Sequence, residues 1–192
     1  MPQPDHIVRI ALPDEDTLDD GLKKYFRICR EKLGLVPYVL KSFMGNPAKL
    51  SNFIAFYNEL MLNEESSGLS KLEREMIAVT VSSANRCYYC LVAHGQAVRE
   101  LSGDPQLGEM IAFNYRVAEL DGRQRAMLDF AWKLTETPQD IGEADRQALR
   151  DAGFTDQDIF DIADTAGFFN YTNRLAHGLD MMPNPDYHAM NR

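Results

Sequence analysis

The chain has 192 residues, of which 45% are hydrophobic and 26% are charged. It can therefore bury a core of its own and does not have the composition of a disordered segment. The formal net charge of −9 argues against nucleic acid as a partner, because an acidic surface cannot neutralise phosphates.

No apolar run approaches the roughly 20 residues that cross a bilayer, and the first residues show neither the basic nor the apolar part of a secretory signal. We therefore expect a single domain over residues 1–192 with a cytoplasmic location and no membrane partner.

Apolar residues recur at spacings of three and four, and the alternation of β-strands is nowhere sustained. This pattern predicts an all-α fold. The predicted helices cover about residues 18–33, a short segment from 37, 47–61, 70–84, 87–101, 108–117, 122–137, 142–152 and 156–175. Short extended tails are expected at about 1–12 and 183–192.

Residues that are typical of helix starts and helix stops support these boundaries. Gly34 is typical of a helix stop. Ser70, followed three residues later by Glu73, matches a capping box at a helix start. Asn85-Arg86 interrupts the periodicity, so residues 70–101 are predicted to form two helices rather than one.

A weak repetition links two stretches of the sequence. Each begins with a glycine before a capping Ser or Thr and ends in Ala-His-Gly, at His94 in the first stretch and His177 in the second. The repetition is compatible with an internal duplication and equally with coincidence, since helices with such ends are common. The second stretch contains no cysteine.

Three cysteines are too few for the disulfide framework of a small secreted domain. Cys29 lies in a helical pattern and is interpreted as a small buried hydrophobic residue. Cys87 and Cys90 form a CxxC pair, which in a reducing compartment indicates either redox chemistry or metal binding. A helix that begins at this pair brings the thiols within disulfide reach and stabilises a thiolate at its N-terminus.

His94 follows Cys90 by four residues, so on a helix both side chains share a face. A histidine beside a thiol can accept its proton and leave a nucleophilic thiolate. Glu75, on the preceding helix, could orient the imidazole; its spacing alone fits a solvated helix charge better. Stabilisation of a thiolate at the helix N-terminus favours Cys87 as the nucleophile. Proton transfer to His94 favours Cys90 instead.

Zinc is the chemical alternative. The two cysteines and His94 offer three ligands, and Glu75 or His177 could supply a fourth. Structural zinc sites usually draw on a second ligand pair, and the sequence contains no second CxxC and no HxxxH. Redox chemistry is therefore preferred, and no metal or cofactor is expected.

Glu75, the CxxC pair and His94 together resemble the active-site signature of the alkyl hydroperoxidase D family, within the carboxymuconolactone decarboxylase superfamily. The stretch at 169–176, Phe-Asn-Tyr-Thr-Asn-Arg-Leu-Ala, is similar to the subgroup of peroxidase-related proteins. The resemblance covers about residues 10–185.

The resemblance implies a compact all-helical fold, homo-oligomers (dimers, trimers or hexamers) and thiol-dependent reduction of small hydroperoxides. It implies that Cys90 is the nucleophile, activated through His94 with help from Glu75, and that Cys87 is its disulfide partner. A dithiol or protein reductant would reset the pair. The alternatives are a disulfide carrier that feeds another peroxidase, and a non-catalytic oligomeric or zinc-binding protein.

The sequence departs from the family pattern at Tyr89, where better-studied members have a histidine. A phenol cannot act as a base at neutral pH, although it can form hydrogen bonds, so Tyr89 is an accessory candidate. His177 is a second accessory candidate, with helix-end packing as the preferred interpretation. The polar cluster of Asn170, Tyr171, Asn173 and Arg174 suggests substrate binding or, preferably, a subunit interface.

Overall fold

The structure is a computed structural model that describes residues 3–192. Within that range it contains helices and no β-strand, which confirms the predicted all-α fold. The helices are α1 (Asp20–Leu33), α2 (Tyr38–Ser42), α3 (Pro47–Tyr57), α4 (Lys71–Ala84), α5 (Tyr88–Ser102), α6 (Pro105–Asn114), α7 (Gly122–Glu136), α8 (Glu143–Asp151) and α9 (Asp156–Gly178). The first two residues of the tail predicted at 1–12 lie outside the described residues.

Most helix ends agree with the predictions, and the differences have local causes. Helix α6 begins three residues early, because Pro105 fits the first helical position and the Asp104 carboxylate accepts the Gln106 N–H at 2.8 Å. The C-terminal tail is not fully extended, since Pro185–His188 forms a 3₁₀ turn.

Helix α4 runs through the middle of the molecule and packs against α5, α6, α7 and α9. Every residue from Arg74 to Ser82 is buried. The predicted capping box begins this helix: the Glu73 N–H donates to Ser70 Oγ at 3.2 Å, and the Ser70 N–H donates to Glu73 Oε2 at 2.8 Å. The sequence therefore places the start of the central helix correctly.

The turn between α4 and α5 has an unusual backbone. Arg86 has φ of 55°, in the left-handed region. The N–H of Cys87 donates to Ser82 O at 2.9 Å, and the N–H of Arg86 donates to Ser83 O at 3.0 Å. These bonds satisfy the last carbonyls of α4 and leave Cys87 as the residue that caps α5.

The two Ala-His-Gly stretches are built differently. The first consists of α4, the turn and α5, with His94 in the middle of α5. The second is the uninterrupted helix α9, with His177 in its last turn. The two histidines therefore occupy different structural positions.

The two chain ends pair with each other. The Arg9 N–H donates to Leu179 O at 2.9 Å, and the Met182 N–H donates to Ile7 O at 3.0 Å. Val8 and Met181 from these segments pack in one buried cluster with the CxxC pair. Among residues 3–192, no helix has the length and hydropathy needed to cross a bilayer.

Candidate active site

Both cysteines of the CxxC pair are free thiols and are buried. Cys87 is 1% exposed and Cys90 is 2% exposed. Cys87 caps the N-terminus of α5, and Cys90 lies in the first turn of that helix. The strained turn at Arg86 thus brings the end of α4 and the start of α5 together at the dithiol.

The two thiols differ in acidity. The Cys90 thiol, as hydrogen-bond donor, lowers the pKa of Cys87 most; the backbone N–H groups of Tyr89 and Cys90 add to this effect, and burial opposes it. The pKa of Cys90 is raised well above its ordinary value, first by its interaction with Cys87 and then by burial. Within the pair, Cys87 is therefore the more acidic thiol.

Glu75 and His94 meet, as the family resemblance implies, and the solvated helix charge that the spacing of Glu75 alone favoured is wrong. His94 Nδ1 lies 2.7 Å from Glu75 Oε2. The carboxylate is buried, with 6% of Glu75 exposed, and the imidazole packs edge-on against Phe169 with ring centroids 4.6 Å apart. A hydrogen on Nδ1 that is donated to the carboxylate leaves the lone pair on Nε2, which has no hydrogen-bond partner in the described part of the chain.

A cavity of about 320 Å³ adjoins this pair. Cys90, Glu75 and His94 all line it, whereas Cys87 is not among the lining residues that the structure describes. The rest of the wall is mainly apolar, and the exposed side chains Leu33 and Leu62 mark its opening. A small molecule can therefore reach Cys90 more directly than Cys87.

The third cysteine also faces this cavity. Cys29 lies on α1, is 7% exposed and packs in the main core, as the sequence predicts. Burial raises the pKa of its thiol, and nearby Arg30 only partly opposes that effect. Cys29 is therefore a protonated thiol at neutral pH.

An amide network supports the dithiol from α9. Asn173, which is completely buried, donates from Nδ2 to Ser82 Oγ at 3.0 Å. Asn85 Nδ2 donates to Oδ1 of both Asn170 and Asn173, each at 3.0 Å, and Arg174 donates to Asn170 Oδ1 at 2.8 Å. Asn170 and Asn173 therefore form hydrogen bonds within the protomer, and the subunit interface that the sequence favours for this polar cluster stays a prediction.

Tyr89 has a structural contact. It is 4% exposed, and its hydroxyl accepts the backbone N–H of Val39 at 3.1 Å, which joins α5 to α2. Burial raises the pKa of Tyr89 well above its ordinary value, so the phenol stays protonated at neutral pH. Its ring lines the cavity.

His177 lies away from the cavity. Its Nε2 donates to the backbone carbonyl of Asn85 at 3.0 Å, which holds the turn before the dithiol against α9. No group of three His, Cys, Asp or Glu side chains within residues 3–192 is placed to hold a metal ion.

Two residues near the site gave no recognisable signal in the sequence. Tyr187, in the C-terminal tail, lines the cavity. Arg99, on α5, is 5% exposed and donates to the carbonyls of Tyr187 and Met190 at 2.9 and 3.1 Å. The tail is thereby anchored beside the cavity by contacts that only the folded chain creates.

Comparisons with known proteins agree with this architecture. Residues 50–106 match the model of the carboxymuconolactone decarboxylase family. A search of curated proteins found no match. An uncharacterized peroxidase-related protein from Silicibacter sp. TM1040 is 60% identical, with 100% of both chains covered and a TM-score of 0.95.

Two further solved structures are similar. The alkylhydroperoxidase AhpD core of an uncharacterized peroxidase-related protein from Ralstonia eutropha JMP134 is 40% identical, with 98% of both chains covered and a TM-score of 0.93. The debrominase Bmp8 is 18% identical over 97% of this chain and 96% of that chain, with a TM-score of 0.76. The similarity to the debrominase concerns the fold alone.

Proposed function

Since the chain belongs to the peroxidase-related, alkylhydroperoxidase D-like proteins of the carboxymuconolactone decarboxylase family, we propose that it is a thiol-dependent peroxidase. The proposed substrate is an organic hydroperoxide, and the proposed redox centre is the pair Cys87 and Cys90. One observation carries the proposal: Cys90 lines the same cavity as the hydrogen-bonded pair Glu75 and His94.

In the first proposed step, His94 Nε2 accepts the thiol proton of Cys90, and the Cys90 sulfur attacks the outer peroxide oxygen. The O–O bond breaks, and the sulfur keeps the attacked oxygen as a sulfenic acid. The leaving alkoxide takes the proton from His94 and departs as the alcohol. Glu75 stabilises the imidazolium formed in between.

In the second step, the Cys87 sulfur attacks the sulfur of the Cys90 sulfenic acid. The S–O bond breaks, a disulfide forms, and hydroxide leaves with a proton as water. The backbone N–H groups of Tyr89 and Cys90, which also lower the pKa of Cys87, remain in place after Cys90 is oxidised and favour a thiolate as the attacking group. An external dithiol then reduces the disulfide by exchange and restores both thiols.

The test uses hydroperoxide without reductant and mass spectrometry. Wild-type protein is expected to lose two hydrogens as the disulfide forms. Cys87→Ala is expected to accumulate a sulfenic acid on Cys90 that dimedone traps. Cys29→Ser keeps the dithiol and serves as the control, which should form the same disulfide. Peroxide consumption that survives replacement of both Cys87 and Cys90 would refute the thiol mechanism.

A different outcome would identify a carrier. If the dithiol is oxidised by a protein disulfide but not by any hydroperoxide, the protein transfers electrons to another enzyme. A peroxidase and a disulfide carrier would both use the free thiols and the cavity. The oxidant that reacts with the dithiol therefore distinguishes these two functions.

The cavity wall favours bulky hydroperoxides. Phe53, Phe168 and Ile54 are among its lining residues, and burial of an aromatic ring contributes about 1.5–3 kcal/mol. We expect kcat/KM for cumene hydroperoxide to exceed that for hydrogen peroxide by about tenfold or more. Ala97→Phe, which narrows the cavity, should reduce this ratio, and an unchanged ratio would place the substrate elsewhere.

We also propose that the protein is a homo-oligomer. Phe113 and Val117 are 86% and 62% exposed, and such side chains are commonly covered in an assembly. Light scattering is expected to give a mass above that of one chain, and Phe113→Lys should lower it. A monomeric mass for the wild type would contradict this.

A further inference from the structure

Two polar side chains that the proposed mechanism does not use lie beside the dithiol, Ser82 on α4 and Asn173 on α9. The carbonyl of Ser82 accepts the N–H of Cys87 at 2.9 Å, and Ser82 Oγ accepts from Asn173 Nδ2 at 3.0 Å. Against the larger effects of Cys87 and of burial, both side chains act to lower the pKa of Cys90. Both are completely buried, and Cys90 is 2% exposed. Water therefore contributes little to solvating a negative charge on this sulfur, and any stabilising hydrogen has to come from the protein.

Ser82 has no hydrogen left for Cys90. Its hydroxyl donates to the carbonyl of Ala78 at 2.6 Å, and its oxygen accepts from Asn173 Nδ2 at 3.0 Å. A hydroxyl carries a single hydrogen, and the bond to Ala78 uses it. Ser82 can therefore position Asn173 but cannot donate to the sulfur at the same time.

Asn173 does have a hydrogen left. Its Oδ1 accepts from Asn85 Nδ2 at 3.0 Å, so the amide group points towards Ser82 and the dithiol. Its NH₂ group carries two hydrogens, and the bond to Ser82 uses one of them. Ala176, almost one helical turn further along α9, packs in the same buried cluster as Cys90, which places this face of α9 against the sulfur.

We infer that Asn173 is a catalytic residue of the proposed peroxidase reaction: its second amide N–H donates to the Cys90 sulfur and stabilises it while it carries negative charge. This inference rests on the proposed function for its catalytic meaning. A hydrogen bond to a charged acceptor is worth about 1.5–3 kcal/mol, or roughly a tenfold to hundredfold change in an equilibrium.

The experiment titrates the Cys90 thiolate by its ultraviolet absorbance in a Cys29→Ser, Cys87→Ala background. Adding Asn173→Leu is expected to raise the titration midpoint by about one pH unit, which lowers the thiolate fraction at neutral pH about tenfold. Asn173→Asp, of nearly the same size, should also raise the midpoint, because it replaces the donor with an acidic group. It keeps the test valid if Asn173→Leu does not fold.

Ser82→Ala distinguishes the two polar neighbours. It leaves both amide hydrogens of Asn173 available, so the Cys90 midpoint is expected to stay unchanged or to fall. A rise as large as that in Asn173→Leu would identify Ser82 as the donor and overturn the inference. An unchanged midpoint in both Asn173 variants would overturn it as well. The other ionisable side chains that line the cavity with Cys90 are the same in all these variants: Tyr25, Tyr57, Lys71, Glu75, Tyr89, His94, Glu100 and Tyr187.

The titration contains no peroxide, so the two proposals can fail separately. A raised midpoint in a protein that consumes no hydroperoxide would retain the hydrogen bond and reject the peroxidase. Normal peroxide consumption with an unchanged midpoint would retain the peroxidase and reject the hydrogen bond from Asn173 to Cys90. If both hold, Asn173→Leu should also slow sulfenic acid formation about tenfold in the Cys87→Ala protein.

Discussion

The Nδ1 atom of His94 lies 2.7 Å from Oε2 of Glu75, although the two residues belong to different helices, α5 and α4. Phe169, from a third helix, packs against the imidazole ring. The ring orientation is thus held from two sides, and His94 lines the cavity wall. In the proposed reaction, His94 accepts the thiol proton of Cys90, which lines the same cavity.

Glu75→Gln is expected to lower kcat/KM for an organic hydroperoxide by about tenfold or more, because a neutral amide stabilises an imidazolium less than a carboxylate does. Steady-state kinetics with an excess of dithiol measure this change. Glu136→Gln, which removes the same charge at an exposed position of α7, is the control. A folded Glu75→Gln protein with wild-type kcat/KM would exclude the relay.

The two thiols are expected to respond oppositely when the partner is removed. In Cys90→Ala the pKa of Cys87 should rise, because its main hydrogen-bond donor is lost. In Cys87→Ala the pKa of Cys90 should fall, because the interaction that raises it most is lost. Thiolate absorbance against pH, in a Cys29→Ser background, records both midpoints, and shifts of the same sign would contradict the coupling.

Arg86→Gly is expected to stabilise the protein by about 1 kcal/mol. Arg86 is exposed and has φ of 55°, a conformation that costs a residue with a Cβ about 1–2 kcal/mol and costs glycine little. Urea unfolding measures the difference. Arg86→Ala keeps the Cβ and should bring no such gain, so equal stabilities of the two variants would show that strain is not the cause.

Tyr89→Phe separates a structural role of this residue from a catalytic one. The variant loses the hydroxyl that accepts the Val39 N–H, so stability should fall by about 1 kcal/mol. Peroxidase activity is expected to change little, since the raised pKa keeps the phenol protonated. Loss of activity in a stable Tyr89→Phe protein would instead make the hydroxyl part of the reaction.

The helical architecture could be predicted because it depends on local physics. Spacing of apolar residues, the capping pair Ser70 and Glu73, and the stop at Gly34 act within one or two turns. The C-terminal tail was predicted less well. Its turn around Tyr187 is fixed by the distant Arg99, and no local signal encodes that contact.

By itself, the sequence determined which chemistry is available: a CxxC pair at a helix start, a histidine one turn later, and a glutamate on the helix before. Only the tertiary structure decided how these groups are arranged. It paired Glu75 with His94, gave Cys90 rather than Cys87 a place in the cavity wall, and joined Asn173 to Ser82 beside the dithiol. Helix spacing sets which residues share a face, whereas contacts between helices depend on how whole faces pack, and a single sequence pattern does not specify that packing.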